Sequence, residues 1–169
     1  MIYEVLKITH ILSACVLFGT GFGTALYMFC VNLQSDLDLI ARATRQVVFA
    51  DWVFTGTSGV VQALTGFAMV ALKGYALSHV WVLGAIVGYG IAGACWVPVV
   101  WLQLRCAQIA EQCLSARSPL TQQYRRYFRT WCLLGIPAFA ALVVVFYLMT
   151  AGPLGSASLF GISLNAKVF

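Results

Sequence analysis

Charged side chains are scarce in this sequence of 169 residues, where they make up 9% of the chain against 62% for hydrophobic residues. A water-soluble domain of this length needs many more charged side chains to cover its surface. The composition therefore excludes a soluble fold and indicates an integral membrane protein. The length suits a single domain.

The sequence also lacks the residue patterns of most enzymes. It contains no nucleophile beside a base, no glycine-rich phosphate loop and no pair of carboxylates. Its four methionines form no ladder for copper, and its six cysteines include no Cys-x-x-Cys pair. Four cysteines fall inside apolar stretches and two flank a basic loop, so we interpret them as small residues that fill helix contacts. We therefore do not expect a self-contained hydrolase.

Four apolar stretches are long enough to cross a bilayer, which takes roughly 20 residues for a hydrocarbon core about 30 Å thick. The first lacks a preceding basic region and is too long for the core of a cleavable signal, so we expect it to remain as a span. The sequence predicts an all-α protein, a four-transmembrane-helix bundle with short amphipathic cytoplasmic helices. The predicted spans are about 5–31, 47–72, 80–104 and 131–150, and a C-terminal tail covers 151–169.

The two longer connections carry further helix signals. Residues 35–46 predict a short interfacial helix capped by Ser35, because apolar residues recur on one side of it. Residues 105–130 predict a helical extension that breaks at Ser118-Pro119 and continues as a basic lead-in to the fourth span.

Lysines and arginines decide the predicted orientation, because positively charged loops stay in the cytoplasm. Seven lie in the connections after spans one and three, and three lie on the opposite side. We therefore expect a multi-pass membrane protein with both basic loops in the cytoplasm and both termini outside. The seven are Arg42, Arg45, Arg105, Arg117, Arg125, Arg126 and Arg129, and the three are Lys7, Lys73 and Lys167.

The net charge of +5 is concentrated beside the membrane. It predicts anionic lipid headgroups as partners of Arg125, Arg126 and Arg129, and it does not indicate nucleic acid. The lipid bilayer itself is the main partner, and a homo-oligomer or a larger membrane complex is compatible with the sequence.

Two histidines are the main candidates for chemistry. His10 lies six residues beyond Glu4, about 9 Å along a helix and so inside the apolar layer. An ionisable side chain there indicates a site, and imidazole is a common ligand of heme iron. His79 opens the third span on the same side, so the pair could supply both axial ligands of a b-type heme. The alternatives are a hydrogen bond from His10 to a neighbouring helix and a merely interfacial His79.

Charged neighbours give further candidates. Lys7 lies one turn from Glu4, and could form an ion pair with it or bind a heme propionate. Asp51 starts the second span near the depth of Arg105, which predicts an ion pair across the helices. The glutamines that could join helices through hydrogen bonds are Gln62 and Gln103.

Glycines recur at the spacing of close helix packing. Gly19 and Gly23 form one Gly-x-x-x-Gly pair, and Gly84 and Gly88 form another. Such pairs let helix backbones approach closely in lipid, which is the interpretation we favour. The same glycines could instead make room for a flat cofactor.

Four segments carry a resemblance to a known family: LKITHIL, FADWVFT, GACWVPVVWLQLR and YRRYFRTWCLLGIPAF. Together they resemble a bacterial family of predicted integral membrane proteins of unknown function (domain of unknown function 2269), over about Tyr3 to Thr150. The first span also resembles HemJ-type protoporphyrinogen oxidases and CopD-like copper-resistance membrane proteins. The HemJ resemblance implies that His10 holds heme. The lysine of that type near the third span is missing from 78–89, which reads SHVWVLGAIVGY.

These observations lead to three functional hypotheses. The first is a membrane protein that binds heme b through His10, His79 and Lys7, with an electron-transfer or redox role near the outer leaflet. If it is an enzyme, it is then a heme-linked oxidoreductase. The second is a cofactor-free accessory or assembly subunit of a larger membrane complex. The third is a transporter of copper or another small solute, which would need a polar path through the bundle.

Overall fold

The computed structural model describes the backbone of residues 1–159 and the side chains of residues 1–151. The described part consists of helices joined by short connections. Four continuous helical stretches are long and apolar enough to cross a membrane, so the prediction of an all-α bundle with four spans is confirmed. The elements are α1 (Ile2–Leu33), α2 (Leu37–Ala50), a π-helix (Asp51–Gly56), α3 (Thr57–Lys73), α4 (Val80–Ser115) and α5 (Gln122–Leu159).

The second span is longer than its apolar stretch. The predicted interfacial helix is α2, but it runs without interruption through the π-helix into α3. No glycine or proline lies between Leu37 and Thr55, so nothing in this stretch breaks the helix. Its first turn is capped by Asp36, whose side chain accepts hydrogen bonds from two backbone N–H groups. Ser35, the predicted cap, instead adopts a φ of 59° in the tight turn after α1.

The connection between α4 and α5 follows the prediction more closely. Helix α4 ends at Ser115, a turn containing Arg117 and Pro119 follows, and α5 begins at Gln122. At the opposite side of the bundle, α3 ends at Gly74, which has a φ of 68° that suits glycine. The predicted tail at 151–169 begins within α5, and its residues 160–169 lie outside the described part of the chain.

The bundle consists of two helix pairs. Helix α1 packs along α3, and α4 packs along α5. Helix α2 contacts both α1 and α4 and so joins the pairs at one end. We call this the arginine end, because the seven arginines lie there, and the opposite end the lysine end, after Lys7 and Lys73. The best-packed core lies at the arginine end and comprises Met28, Val31, Ile40, Ala41, Ala43, Val47, Leu102, Cys106, Ala110, Tyr124 and Trp131.

The two glycine pairs have different surroundings. A methyl group on Gly88 would lie 2.8 Å from Cγ2 of Val145, and one on Gly84 would lie 2.9 Å from Cδ1 of Leu148. These glycines therefore allow α4 and α5 to pack closely, as we predicted. A methyl group on Gly19 or Gly23 would have nothing within 4 Å. This first pair makes no close packing contact among the described residues.

Candidate intramembrane binding site

A cavity of about 910 Å³ lies between the two helix pairs. Its walls are mostly apolar, and glycines widen it because they contribute no side chain. Several lining side chains are themselves exposed, including Leu26 at 52%, Val60 at 61% and Ile136 at 67%. Because these helices span the membrane, the cavity opens sideways toward lipid. The glycines that line it are Gly21, Gly56, Gly59, Gly93 and Gly135.

Aromatic contacts and a hydrogen bond join the helix pairs across the cavity. The ring of Phe18 on α1 meets that of Phe139 on α5 edge to face, with centroids 5.7 Å apart. On the other side, the hydroxyl of Tyr89 on α4 donates to the carbonyl of Gly59 on α3 over 2.6 Å. The cavity is therefore held between the pairs by specific contacts of its own lining residues.

The depth of the cavity follows from the helix rise. The ammonium of Lys73 lies 4.5 Å from the ring centroid of Tyr3, which aligns the lysine ends of α3 and α1. Asp51 precedes Lys73 by 22 residues, about 33 Å at 1.5 Å per residue. For a hydrocarbon core about 30 Å thick, Asp51 then lies near the boundary at the arginine end. The cavity extends from Asp51 to Ala63, about 18 Å along the helix.

Asp51 forms the polar floor of the cavity. It is 4% exposed, and its carboxyl group accepts hydrogen bonds from the amide of Gln103 over 2.6 Å and from the hydroxyl of Thr55 over 3.1 Å. The hydroxyl of Thr24 on α1 lies 3.4 Å from the same carboxyl group, while its proton is donated to the carbonyl of Thr20 over 2.8 Å. The π-helix carries both Asp51 and Thr55, and single π-turns of this kind are frequent at functional sites. Three spans thus converge on one carboxyl group.

The predicted ion pair between Asp51 and Arg105 is wrong. The guanidinium of Arg105 lies 5.6 Å from the ring of Trp101 and donates to Gln108 over 3.1 Å. Arg105 follows Gln103 by two residues, which is about 200° around a helix, so the two side chains point in nearly opposite directions. Gln103 therefore faces Asp51, as its predicted role in joining helices requires, and Arg105 faces outward.

Three polar atoms beside the cavity have no hydrogen-bond partner among the described residues. They are Nε1 of Trp96, Oε1 of Gln103 and Nε1 of Trp131. All three side chains line the cavity, and Gln103 and Trp131 are 2% and 6% exposed. Buried polar groups are almost always paired in native proteins, and one left alone costs about 1–3 kcal/mol. The composition of a sequence gives no signal for such atoms.

His10 belongs to a second polar cluster, closer to the lysine end. Its Nδ1 lies 2.8 Å from the hydroxyl of Thr65, and its Nε2 lies 2.9 Å from the amide nitrogen of Gln62. Thr65 donates its own proton to the carbonyl of Val61, and Ser13 donates to Oε1 of Gln62 over 2.6 Å. Nδ1 of a neutral His10 then donates to Thr65, and Nε2 accepts from Gln62. This is the interhelical hydrogen bonding that we gave as the alternative to heme.

The other two predicted site residues lie elsewhere. His79 is exposed in the connection beyond Lys73, and its ring packs against Tyr75 with centroids 6.2 Å apart. Because Tyr3 aligns with Lys73, His10 lies about 10 Å deeper than this end of the bundle. Lys7 is exposed, and Glu4 pairs with the amino group of Met1 rather than with Lys7. The structure does not bring the three together.

These positions do not fit a heme held by two histidines. Both ring nitrogens of His10 are engaged, so ligation of iron would require the loss of its bond to Gln62 or Thr65. Neither histidine lines the large cavity. Across residues 1–151, no group of three or more His, Cys, Asp or Glu side chains could hold a metal ion. All six cysteines are free thiols.

Replacing His10 by alanine should destabilise the packing of α1 against α3. The change leaves Gln62 and Thr65 without their partner in the membrane, and we expect a loss of about 1–2 kcal/mol in the free energy of unfolding. Reversible unfolding in mixed detergent micelles measures this change in the free energy of unfolding. Thr9→Ala on the same helix is the control, because that hydroxyl bonds only to the carbonyl of Val5. Equal stability of His10→Ala and Thr9→Ala would contradict a structural role for the imidazole.

Comparison with protein families matches residues 4–153 to the family described as predicted integral membrane protein (DUF2269). The chain belongs to this family. The DUF2269 match includes every residue that lines the cavity and both polar clusters. The description states a membrane location and no activity, and it does not support the resemblance to the HemJ and CopD types. No curated protein and no solved structure matches the chain.

Proposed function

We propose that this membrane protein binds a lipid-soluble small molecule with a hydrogen-bonding group in the cavity between its helix pairs. The observation that supports this proposal is the set of three unpaired polar atoms in side chains that line one apolar cavity. A volume of about 910 Å³ lies in the range of small-molecule sites, roughly 300–1,000 Å³. A few polar groups in an apolar pocket are what orients a ligand there.

The polar atoms define what the ligand must offer. The two indole N–H groups of Trp96 and Trp131 require an acceptor, and the oxygen of Gln103 requires a donor. Each of these atoms is buried, so a ligand reaches it only after the side chain rotates. Tryptophan emission should report that rotation. The proposed ligand therefore has an apolar body and a small polar group that lies toward the arginine end.

A neutral probe tests this proposal. Triphenylphosphine oxide has three apolar rings and one strong acceptor, and we expect it to bind the purified protein in lipid nanodiscs saturably. The measurement is equilibrium dialysis after subtraction of partitioning into empty nanodiscs, with the shift in tryptophan emission as a second readout. Uptake that only follows the amount of lipid, with no saturable component, would refute the proposed function.

The basic groove at the start of α5 supports a separate lipid contact. A groove of about 550 Å³ is lined by Arg125, Arg126 and Arg129 together with two polar neighbours. We propose that it holds anionic lipid headgroups and that the arginine end is cytoplasmic, with both termini outside, in the bacterial inner membrane. A reporter protein inserted at the turn after α4 tests the orientation, because it should be active only on the cytoplasmic side.

Neutralising the three groove arginines to glutamine should reduce the phosphatidylglycerol that stays bound in native mass spectrometry by severalfold. The control is Arg42→Gln with Arg45→Gln, since these arginines already pair with Asp38 and Glu111. An equal loss in both variants would show a general effect of charge.

Heme b, an accessory role in a larger complex and solute transport stay predictions. An absorption spectrum of the purified protein, oxidised and then dithionite-reduced, tests the first. A Soret band that persists in His10→Ala would remove His10 as the ligand. Co-purification with a larger complex after gentle extraction tests the second. The third prediction, solute transport, is tested with a solute that the cavity binds, by measuring its uptake into vesicles that contain the protein.

A further inference from the structure

Among the described residues that line the cavity, Asp51 alone has a side chain that carries a charge in neutral water. It forms no ion pair among the described residues, whose salt bridges all lie elsewhere. A carboxylate buried in a medium of low dielectric constant costs several kcal/mol unless a positive charge compensates it. The hydrogen bonds from Gln103 and Thr55 offset part of that cost, and no positive charge among the described residues balances the carboxylate when it is ionised.

Aromatic side chains line the same cavity as this carboxyl group. A methyl group on Gly56 would lie 3.5 Å from the ring of Trp96 and 3.5 Å from the backbone oxygen of Asp51. Trp96 therefore packs on the helical turn that carries Asp51. Trp131 and Tyr89 line the same cavity. The faces of such rings attract cations, most strongly where water is excluded.

We propose that the cavity takes a lipophilic organic cation, a quaternary ammonium or phosphonium with apolar substituents, whose charge pairs with the carboxylate of Asp51. This inference rests on the proposed function, which by itself requires only a neutral ligand. In this arrangement the apolar walls hold the substituents, the aromatic rings of the lining add attraction for the cation, and Asp51 supplies the opposite charge. An intramembrane acid that faces a cavity is the expected place for such a function.

Two probes of the same shape separate charge from size. Tetraphenylphosphonium is a cation and tetraphenylborate an anion, and both carry four phenyl groups. The full chain in nanodiscs of zwitterionic lipid should bind tetraphenylphosphonium saturably, and at least about tenfold more tightly than tetraphenylborate, after subtraction of uptake by empty nanodiscs. Equal binding of the two probes would overturn the inference without any variant.

The matched variant is Asp51→Asn, which keeps the shape of the side chain and removes its charge. We expect it to weaken tetraphenylphosphonium binding at least about tenfold and triphenylphosphine oxide binding by a clearly smaller factor, because the neutral probe has no charge to pair with residue 51. Glu111→Gln is the control, because Glu111 pairs with Arg45 and does not line the cavity. It should leave the binding of both probes unchanged.

The outcomes distinguish this inference from the proposed function. If Asp51→Asn binds tetraphenylphosphonium as tightly as the unmodified protein does, the inference is wrong. Binding of triphenylphosphine oxide then still tests the proposed function. If the unmodified protein binds neither tetraphenylphosphonium nor triphenylphosphine oxide, both proposals fail. If Asp51→Asn does not fold, the comparison of tetraphenylphosphonium with tetraphenylborate on the unmodified protein decides.

Discussion

Replacing Gly93 or Gly135 by leucine is expected to weaken the saturable binding of triphenylphosphine oxide strongly while the bundle stays folded. A methyl group at either position would meet no heavy atom within 4 Å, and both glycines line the cavity. The leucine side chain then occupies the space of the ligand without displacing a helix. Leucine is also a better helix former than glycine, so the substitution adds no backbone penalty.

The measurement is equilibrium dialysis in nanodiscs, where we expect affinity to fall at least about tenfold for each variant and below detection for both together. Gly23→Leu is the matched control. A methyl group there also has nothing within 4 Å, but Gly23 does not line the cavity. Its binding should stay within about twofold of the unmodified protein. Unchanged binding in Gly93→Leu and Gly135→Leu would place the ligand elsewhere.

Gly88→Leu should have the largest effect on stability. Even a methyl group at Gly88 would lie 2.8 Å from Cγ2 of Val145 and 3.6 Å from the backbone oxygen of Ala141. A β-branched valine cannot rotate its methyl groups away easily, so α4 and α5 must separate. Overpacking of this kind costs about 1–3 kcal/mol, and the leucine side chain is larger than a single methyl group.

We expect thermal unfolding of Gly88→Leu in detergent at a clearly lower temperature, or no folded protein at all. Gly90→Leu is the control on the same helix, because a methyl group there meets nothing within 4 Å. Its unfolding temperature should be close to that of the unmodified protein. Equal unfolding temperatures for the two variants would show that α4 and α5 do not depend on this contact.

The sequence is sufficient to predict the membrane-spanning helices, because the hydrocarbon core of the bilayer restricts which segments can cross it. A segment that crosses it must be helical, apolar and about 20 residues long, and these properties are visible in composition alone. The break at Ser118-Pro119 was predictable for a similar reason, since proline limits the residue before it. The continuity of α2 with α3 was not, because a polar segment can end or extend a span with the same composition.

The site depended on how each helix is rotated, which composition does not determine. Asp51 and Arg105 have the right depth for an ion pair, yet the rotation of α4 presents Gln103 instead. The sequence shows His10 as a polar group within an apolar span, and its partners Thr65 and Gln62 became visible only in three dimensions. The cavity was harder still to predict, since it arises from side chains that are absent.

The sideways opening of the cavity changes what ligand affinity means for this protein. An occupant exchanges with the bilayer, so its apolar part has already left water before it meets the helices. A more lipophilic ligand then reaches a higher concentration in the membrane. Its lipophilicity contributes little to the step from the bilayer into the cavity, because lipid tails are as apolar as the cavity walls. The shape of the ligand and its polar group therefore determine which membrane solutes the cavity selects. Dissociation constants for this protein are best expressed as the mole fraction of ligand in the lipid.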